Sequence, residues 1–320
     1  MTHPGNTKTR ILLVLPLVVV LLAASFYGFA NYQARSLVDS KMADMVNTGV
    51  YQSLAYDDFS LSIDGSMHMT GLQIRDAAGI EYEISQIDIP EFDYFNDNPQ
   101  YLSISATGIR FPDGIPDFGN TGNSALNDYL DIVMDADSLP LQFDYRHNYT
   151  PEQGQQLDSA FSILLPESFS LSTASVMRHV SLDEVSNITG AMSLNPLQNA
   201  GLMKGDIPSA SITLEDLGLI DAMMAVQGES FGMDSDEYRQ QLLAQIQTMV
   251  LFAPQQLQSL AQEVAAAVVE FLEGGKSLRL SMNPEYDGNI QRLQGDLIGA
   301  FYTGNFEGMV KLLHLEIETF

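Results

Sequence analysis

The chain has 320 residues, 45% of them hydrophobic, and carries 41 Asp and Glu against 14 Lys and Arg, a formal net charge of −27. That is long and apolar enough for a sizeable core and argues against a disordered chain, while so acidic a balance repels phosphate backbones and makes nucleic acid an unsuitable partner. The absence of Cys excludes disulfides, thiolate metal sites and cysteine nucleophiles.

Residues 1–10 are polar and carry Lys8 and Arg10 but no acid, and residues 11–30 (ILLVLPLVVVLLAASFYGFA) hold no charge at all. Twenty residues at 1.5 Å each reach about 30 Å, the hydrocarbon thickness of a bilayer. The expectation is a transmembrane anchor over 11–30, with the short basic head kept in the cytoplasm. A cleaved signal peptide competes, with Gly28 and Ala30 as the small residues before a cut at Asn31. Both readings put the rest of the chain, with all 41 acids, outside the cytoplasm. The polar stretch 31–50, with Leu37, Met42, Met45 and Val46 at helical spacing, reads as a stalk.

From residue 51 the apolar period becomes two. Phe59, Leu61 and Ile63 alternate with polar residues, Asp64-Gly65 marks a turn, and Met67 and Met69 flank His68. Leu72 and Ile74 follow in the opposite parity, so Gly71 reads as a bulge. Further strands are predicted over 82–89, 101–111, 141–145, 161–165, 169–171, 192–194 and 209–214, with one helix over 121–134. A short repeat links Thr70-Gly71-Leu72-Gln73-Ile74 to Thr107-Gly108-Ile109-Arg110-Phe111, with a fainter echo at Thr189-Gly190. The 37-residue offset of the first two suits successive two-strand units of one sheet. Three helices are predicted next: a wide apolar face from Leu217 to Val226, a second helix opened by the capping-box spacing Asp234 to Glu237, and an Ala-rich third ending at Gly274-Gly275. A strand at Leu278, Leu280 and Met282, short helices over 290–301 and 306–312, and a last strand through Leu313, Leu315 and Ile317 close the chain. The implied units are an anchor (1–30), a stalk (31–50), a β-rich domain (51–210), a helical segment (211–275) and a C-terminal αβ segment (276–320).

Gly228-Glu229-Ser230-Phe231-Gly232 matches the G-x-S-x-G of serine hydrolases, and His314 completes the order serine, acid, histidine. That chemistry needs the serine on a sharp strand-to-helix turn. Here the preceding stretch has helical periodicity, which argues for a helix–helix loop and against catalysis. Met67-His68-Met69 offers soft ligands, but on a strand the two Met side chains point away from the His. The acids Asp88, Glu91 and Asp93, and the pair Asp135 and Asp137, lack the spacing of a calcium loop. No catalytic, metal or cofactor residue is assigned on these grounds.

The anchor followed by SLAYDDFSLSIDGSMHMTGLQIRD and YLSISATGIRFPDG resembles the AsmA-like proteins of the bacterial envelope, over residues 11 to about 112. The resemblance implies a curved sheet with an apolar face for acyl chains and a role in envelope lipid handling. The candidate lipid-facing residues are Phe59, Leu61, Ile63, Met67, Met69, Leu72 and Ile74. The expected fold is α+β: a transmembrane helix, then a twisted, mainly antiparallel sheet packed with a C-terminal bundle of three helices. The expected protein is a non-enzymatic, single-pass inner-membrane protein with a periplasmic bulk that binds lipid. The alternative is an envelope assembly factor whose acidic surface recruits a protein partner.

Overall fold

The computed structural model describes residues 31–49, 51–77, 79–93, 100–110, 141–153, 155–181, 205–253, 255, 258–284, 293, 295–297, 299–300, 303 and 305–320. The predicted anchor at 11–30, the predicted helix over 121–134, the strand over 192–194, the Thr189-Gly190 echo and the Asp135/Asp137 pair lie outside these residues.

Alternating apolar and polar residues build eleven strands: β1 (Tyr51–Ala55), β2 (Asp58–Leu61), β3 (Met67–Asp76), β4 (Glu81–Phe92), β5 (Tyr101–Arg110), β6 (Leu141–Thr150), β7 (Gln156–Leu165), β8 (Phe169–Arg178), β9 (Asp206–Asp216), β10 (Ser277–Met282) and β11 (Leu315–Thr319). They form one sheet in the order β1-β3-β4-β5-β6-β7-β8-β9-β10-β11, with β2 also on β3. Every pairing is antiparallel. Helix α1 (residues 31–47) tends the first edge. Asn31 accepts from the Leu61 N–H at 3.2 Å, Arg35 pairs with Asp58 and stacks on Tyr56, and Tyr56 donates to Asp39. Covering an edge in this way blunts further strand pairing.

Register decides the two faces, because cross-strand partners point the same way. One row runs Met69–Ile87–Ala106–Phe143–Ile163–Leu171–Leu214–Leu278 through eight strands, from β3 to β10. Phe59 joins it opposite Met69, and Leu61 stands opposite Met67. The apolar parity of β3, β4 and β5 switches at one level, where Asp57, Gly71, Ser85 and Gly108 stand abreast. Beyond it Leu72, Ile84, Ile109 and Leu141 are paired in turn. Gly71 and Gly108 are left-handed, at φ +62° and +67°. Strand β6 runs regularly through this level, so the extra residue surfaces as a register shift between Thr107 and Ile109. This seam keeps Leu72 and Ile109 on the apolar side, and it explains the Thr-Gly repeat: the two copies are equivalent positions two strands apart.

Helices α2 (Leu219–Phe231), α3 (Ser235–Leu251) and α4 (Gln258–Leu272) pack at the β9–β10 end of the apolar face, where Ile220, Met224, Leu243, Phe271 and Leu272 form a core with Leu214 and Leu278. Thr319 of β11 donates to the Ala267 carbonyl of α4. A second cluster joins Tyr149 and Leu157 to Val180, with the Tyr149 hydroxyl donating to the Val180 carbonyl. Helix α5 (Phe306–Leu313) leads into β11.

Two expectations are corrected here. The fold is not an α+β layer in which a transmembrane helix leads into a sheet covered by a bundle. It is dominated by one large antiparallel sheet, with α2–α4 packed at one end of it against β9, β10 and β11. The expected inner-membrane placement with a cytoplasmic N-terminus also fails to find support. No helix among the described residues is long and apolar enough to cross a membrane.

Candidate functional site

The second parity of the strands builds the site. On the face opposite the apolar row, Ser103, Arg146, Ala160, Ala174, Ser211 and Ser281 are successive cross-strand neighbours from β5 to β10. The next row on this face is Asp144, Ser162, Ser172, Thr213 and Arg279. Arg279 Nε donates to Thr213 Oγ1 at 3.2 Å, which holds the guanidinium on this face.

These rows line cavities. One of about 710 Å³ touches every strand from β4 to β10. Six strands laid flat would put β5 and β10 about 24 Å apart, at ~4.8 Å per strand. A single cavity touching both points to a sheet that bends with this face inside. A second cavity, about 420 Å³, shares Ser103, Arg146, Ala160, Ala174 and Ser211 with the first. A third, about 810 Å³, shares Pro90, Glu91, Tyr101 and Asn148 with it. The three form one trough, from Thr213 and Arg279 at one end to Ile63 and Gly65 at the other.

Three carboxylates of this face are satisfied locally. Gln86, Gln142 and Gln156 each donate through Nε2 to the Asp two residues on, at 2.6, 2.9 and 3.1 Å. Asp88 also meets His68 Nδ1 at 2.6 Å. Burial acts upward on the Asp88 carboxyl, but the hydrogen bonds from His68 and Gln86 and the His68 charge outweigh it, so the group sits below its ordinary value. On the apolar face, burial alone pushes the Tyr145 hydroxyl up. The exposed side chains of Arg146, Asn148 and Tyr101 have no side-chain hydrogen bond or ion pair among the described residues. They stand together, since Tyr101 pairs with Asn148 and Ser103 with Arg146.

The residues nominated from the sequence lie elsewhere. Phe59 and Leu72 are buried, and Leu61, Met67, Met69 and Ile74 are half-buried on the apolar face. Ile63 leaves that set: it is 92% exposed in the turn after β2 and borders the third cavity. His68 faces Asp88 on the side opposite Met67 and Met69. Ser230 is in the last turn of α2, its hydroxyl donating to the Gln227 carbonyl at 2.8 Å, and left-handed Gly232 caps that helix. His314 is not within a strand; it caps α5 at φ +43°. The trough residues Tyr101, Arg146, Asn148 and Asp158 were missed because the strands were read for their apolar parity. The signal was the other parity, which is small and hydroxylated along β7, β8 and β9.

A family model described as "Uncharacterized protein" matches residues 158–319, just over half of the chain. The chain belongs to that family. The matched segment runs from β7 to β11 and takes in α2–α5 and one wall of the trough. It begins beyond residues 11–112, which carry the AsmA-like resemblance. Comparison with curated proteins gives no match.

Proposed function

We propose that this chain is a non-catalytic binding module that holds an extended, hydrogen-bonding ligand in the trough. The observation that carries the reading is the chain of three cavities along one bent face, lined by Ser, Ala and a few unengaged polar side chains. Concave sites with convergent polar groups are the usual places for ligands. The non-catalytic part rests on Ser230, whose helical position and bond to Gln227 leave it without the geometry of a nucleophile.

A second reading keeps an acyl-chain ligand on the apolar face. It is favoured by the cross-strand pair Ile212 and Leu280, both 41% exposed where the rest of their row is half-buried. Native mass spectrometry of the chain as isolated tests both. Ala160→Leu with Ala174→Leu fills the middle of the trough. An adduct on the wild type that the double variant lacks supports the trough. An adduct that the double variant retains, or a wild type without one, overturns it. A retained adduct of lipid mass supports the second reading.

A further inference from the structure

We infer that the trough takes a neutral oligosaccharide, an inference that rests on the trough being a ligand site. Charge narrows the class first. The lining carries Arg146 and Arg279 against Asp64, Glu91, Asp144 and Asp158, so no cationic excess exists to hold a polyanion. The same carboxylates, with the wall of serine hydroxyls, would lose their hydration without replacement under an acyl chain.

An extended peptide is disfavoured for a different reason. Peptides bind sheets by adding a strand to a free edge. The trough floor is β5 to β10, where every strand is already paired on both sides. Only side chains face the ligand, and a ligand read by side chains alone needs many hydroxyls of its own. Arg146 offers a fork of donors, Asn148 both a donor and an acceptor, and Asp158 acceptors. A sugar ring also has an apolar face of C–H groups. Tyr101, 40% exposed where the first and third cavities join, supplies an aromatic surface beside those polar groups. The elongated shape suits several rings in series.

The absence of Cys allows a clean test on the whole chain. Ser211→Cys puts a single thiol in the trough wall, and its rate of modification by N-ethylmaleimide reports occupancy. The probes are β-1,4-linked hexamers of glucose and of N-acetylglucosamine, an α-1,4-linked glucose hexamer, a hexagalacturonate, and an uncharged Gly/Ser/Asn decapeptide. The expected result is protection by at least one neutral hexamer. Tyr101→Ala and Arg146→Ala should each raise its half-protecting concentration about tenfold, the loss of one stacked ring or one charged hydrogen bond, with the urea midpoint unchanged. Protection by the hexagalacturonate alone overturns the neutral class and protection by the peptide alone overturns the sugar class, and either leaves the trough standing. A thiol that reacts no faster in the native chain than a core cysteine, or that no probe protects, overturns both. A hexamer whose protection is indifferent to Tyr101 and Arg146 overturns the recognition described here.

Discussion

Gly108→Ala tests whether the seam across β3, β4 and β5 is built as described. Gly108 is left-handed at φ +67° and is the extra residue opposite Leu141 and Gln142. A Cβ there would lie 2.4 Å from Ser85 Oγ and 2.7 Å from Ser85 Cβ. Holding an Ala in the left-handed region costs about 1–2 kcal/mol. Forcing an extra carbon against Ser85 adds about 1–3 kcal/mol. The stiffer unfolded chain returns about 0.4–1 kcal/mol. The expected loss is about 2–3 kcal/mol, read as a fall in the urea midpoint at constant slope, followed by far-UV circular dichroism. The Ser85→Gly background separates the two costs. There Gly108→Ala should lose only about 1 kcal/mol, since the clash is gone and the backbone cost remains. A single variant within about 0.5 kcal/mol of wild type, or a cycle with no coupling between 85 and 108, would refute the seam.

Two further predictions concern the helices and the polar face. Asp234 accepts from the Glu237 N–H at 2.8 Å and Glu237 reaches back to the Asp234 N–H, so Asp234→Ala should cost about 1 kcal/mol in urea unfolding, while an unchanged midpoint would mean that the capping box is not formed. Asp88 should titrate below the ordinary carboxylate value of about 3.9 by carboxyl NMR, and His68→Ala should raise its midpoint. Because the folded value is depressed, this pair contributes stability above the unfolded value and loses it as pH falls through the folded one. Both side chains are about 40% exposed, so the contribution is small and screened by salt. Identical midpoints in the two chains would remove His68 as the cause.

Local rules made much of the sheet readable. The predicted strands over 82–89, 101–111, 209–214 and 278–282 fall on β4, β5, β9 and β10, because β9 and β10 alternate throughout and β4 and β5 alternate on either side of a single switch at the seam. The Asp234 cap marks the start of α3 for the same reason: its chemistry is complete within four residues. The predicted strands over 141–145, 161–165 and 169–171 cover only part of β6, β7 and β8. At Arg146-His147-Asn148 and Ser172-Thr173-Ala174-Ser175 the apolar parity is interrupted, and only pairing with long neighbours keeps the chain extended there. His314 was misplaced because Leu313 and Leu315 alternate as a strand does, yet Leu313 closes α5 and His314 turns the chain. The site was illegible for a related reason. Its residues come from the seven strands β4 to β10, and register across so long a stretch of chain is not a local property.

The same volume asymmetry that hides the site also explains why it exists. Across the middle of the sheet one face carries Phe143, Tyr145, Phe161 and Ile163, with Phe143 and Phe161 packed edge to face at 5.0 Å. The other face carries Ala160 and Ser162 on β7, Ser172 and Ala174 on β8 and Ser211 on β9. A twisted sheet with bulky groups on one side and one-carbon stems on the other bends toward the small side, where strands approach without overlap. The trough is therefore a consequence of side-chain size as much as of hydrogen-bond pattern. The small residues that allow the bend are also those that leave room above the floor, and the serines among them set hydroxyls along it. Arg146 stands out from such a floor because its neighbours across both adjacent strands, Ser103 and Ala160, are short, while Asn148 stands between Tyr101 and Asp158.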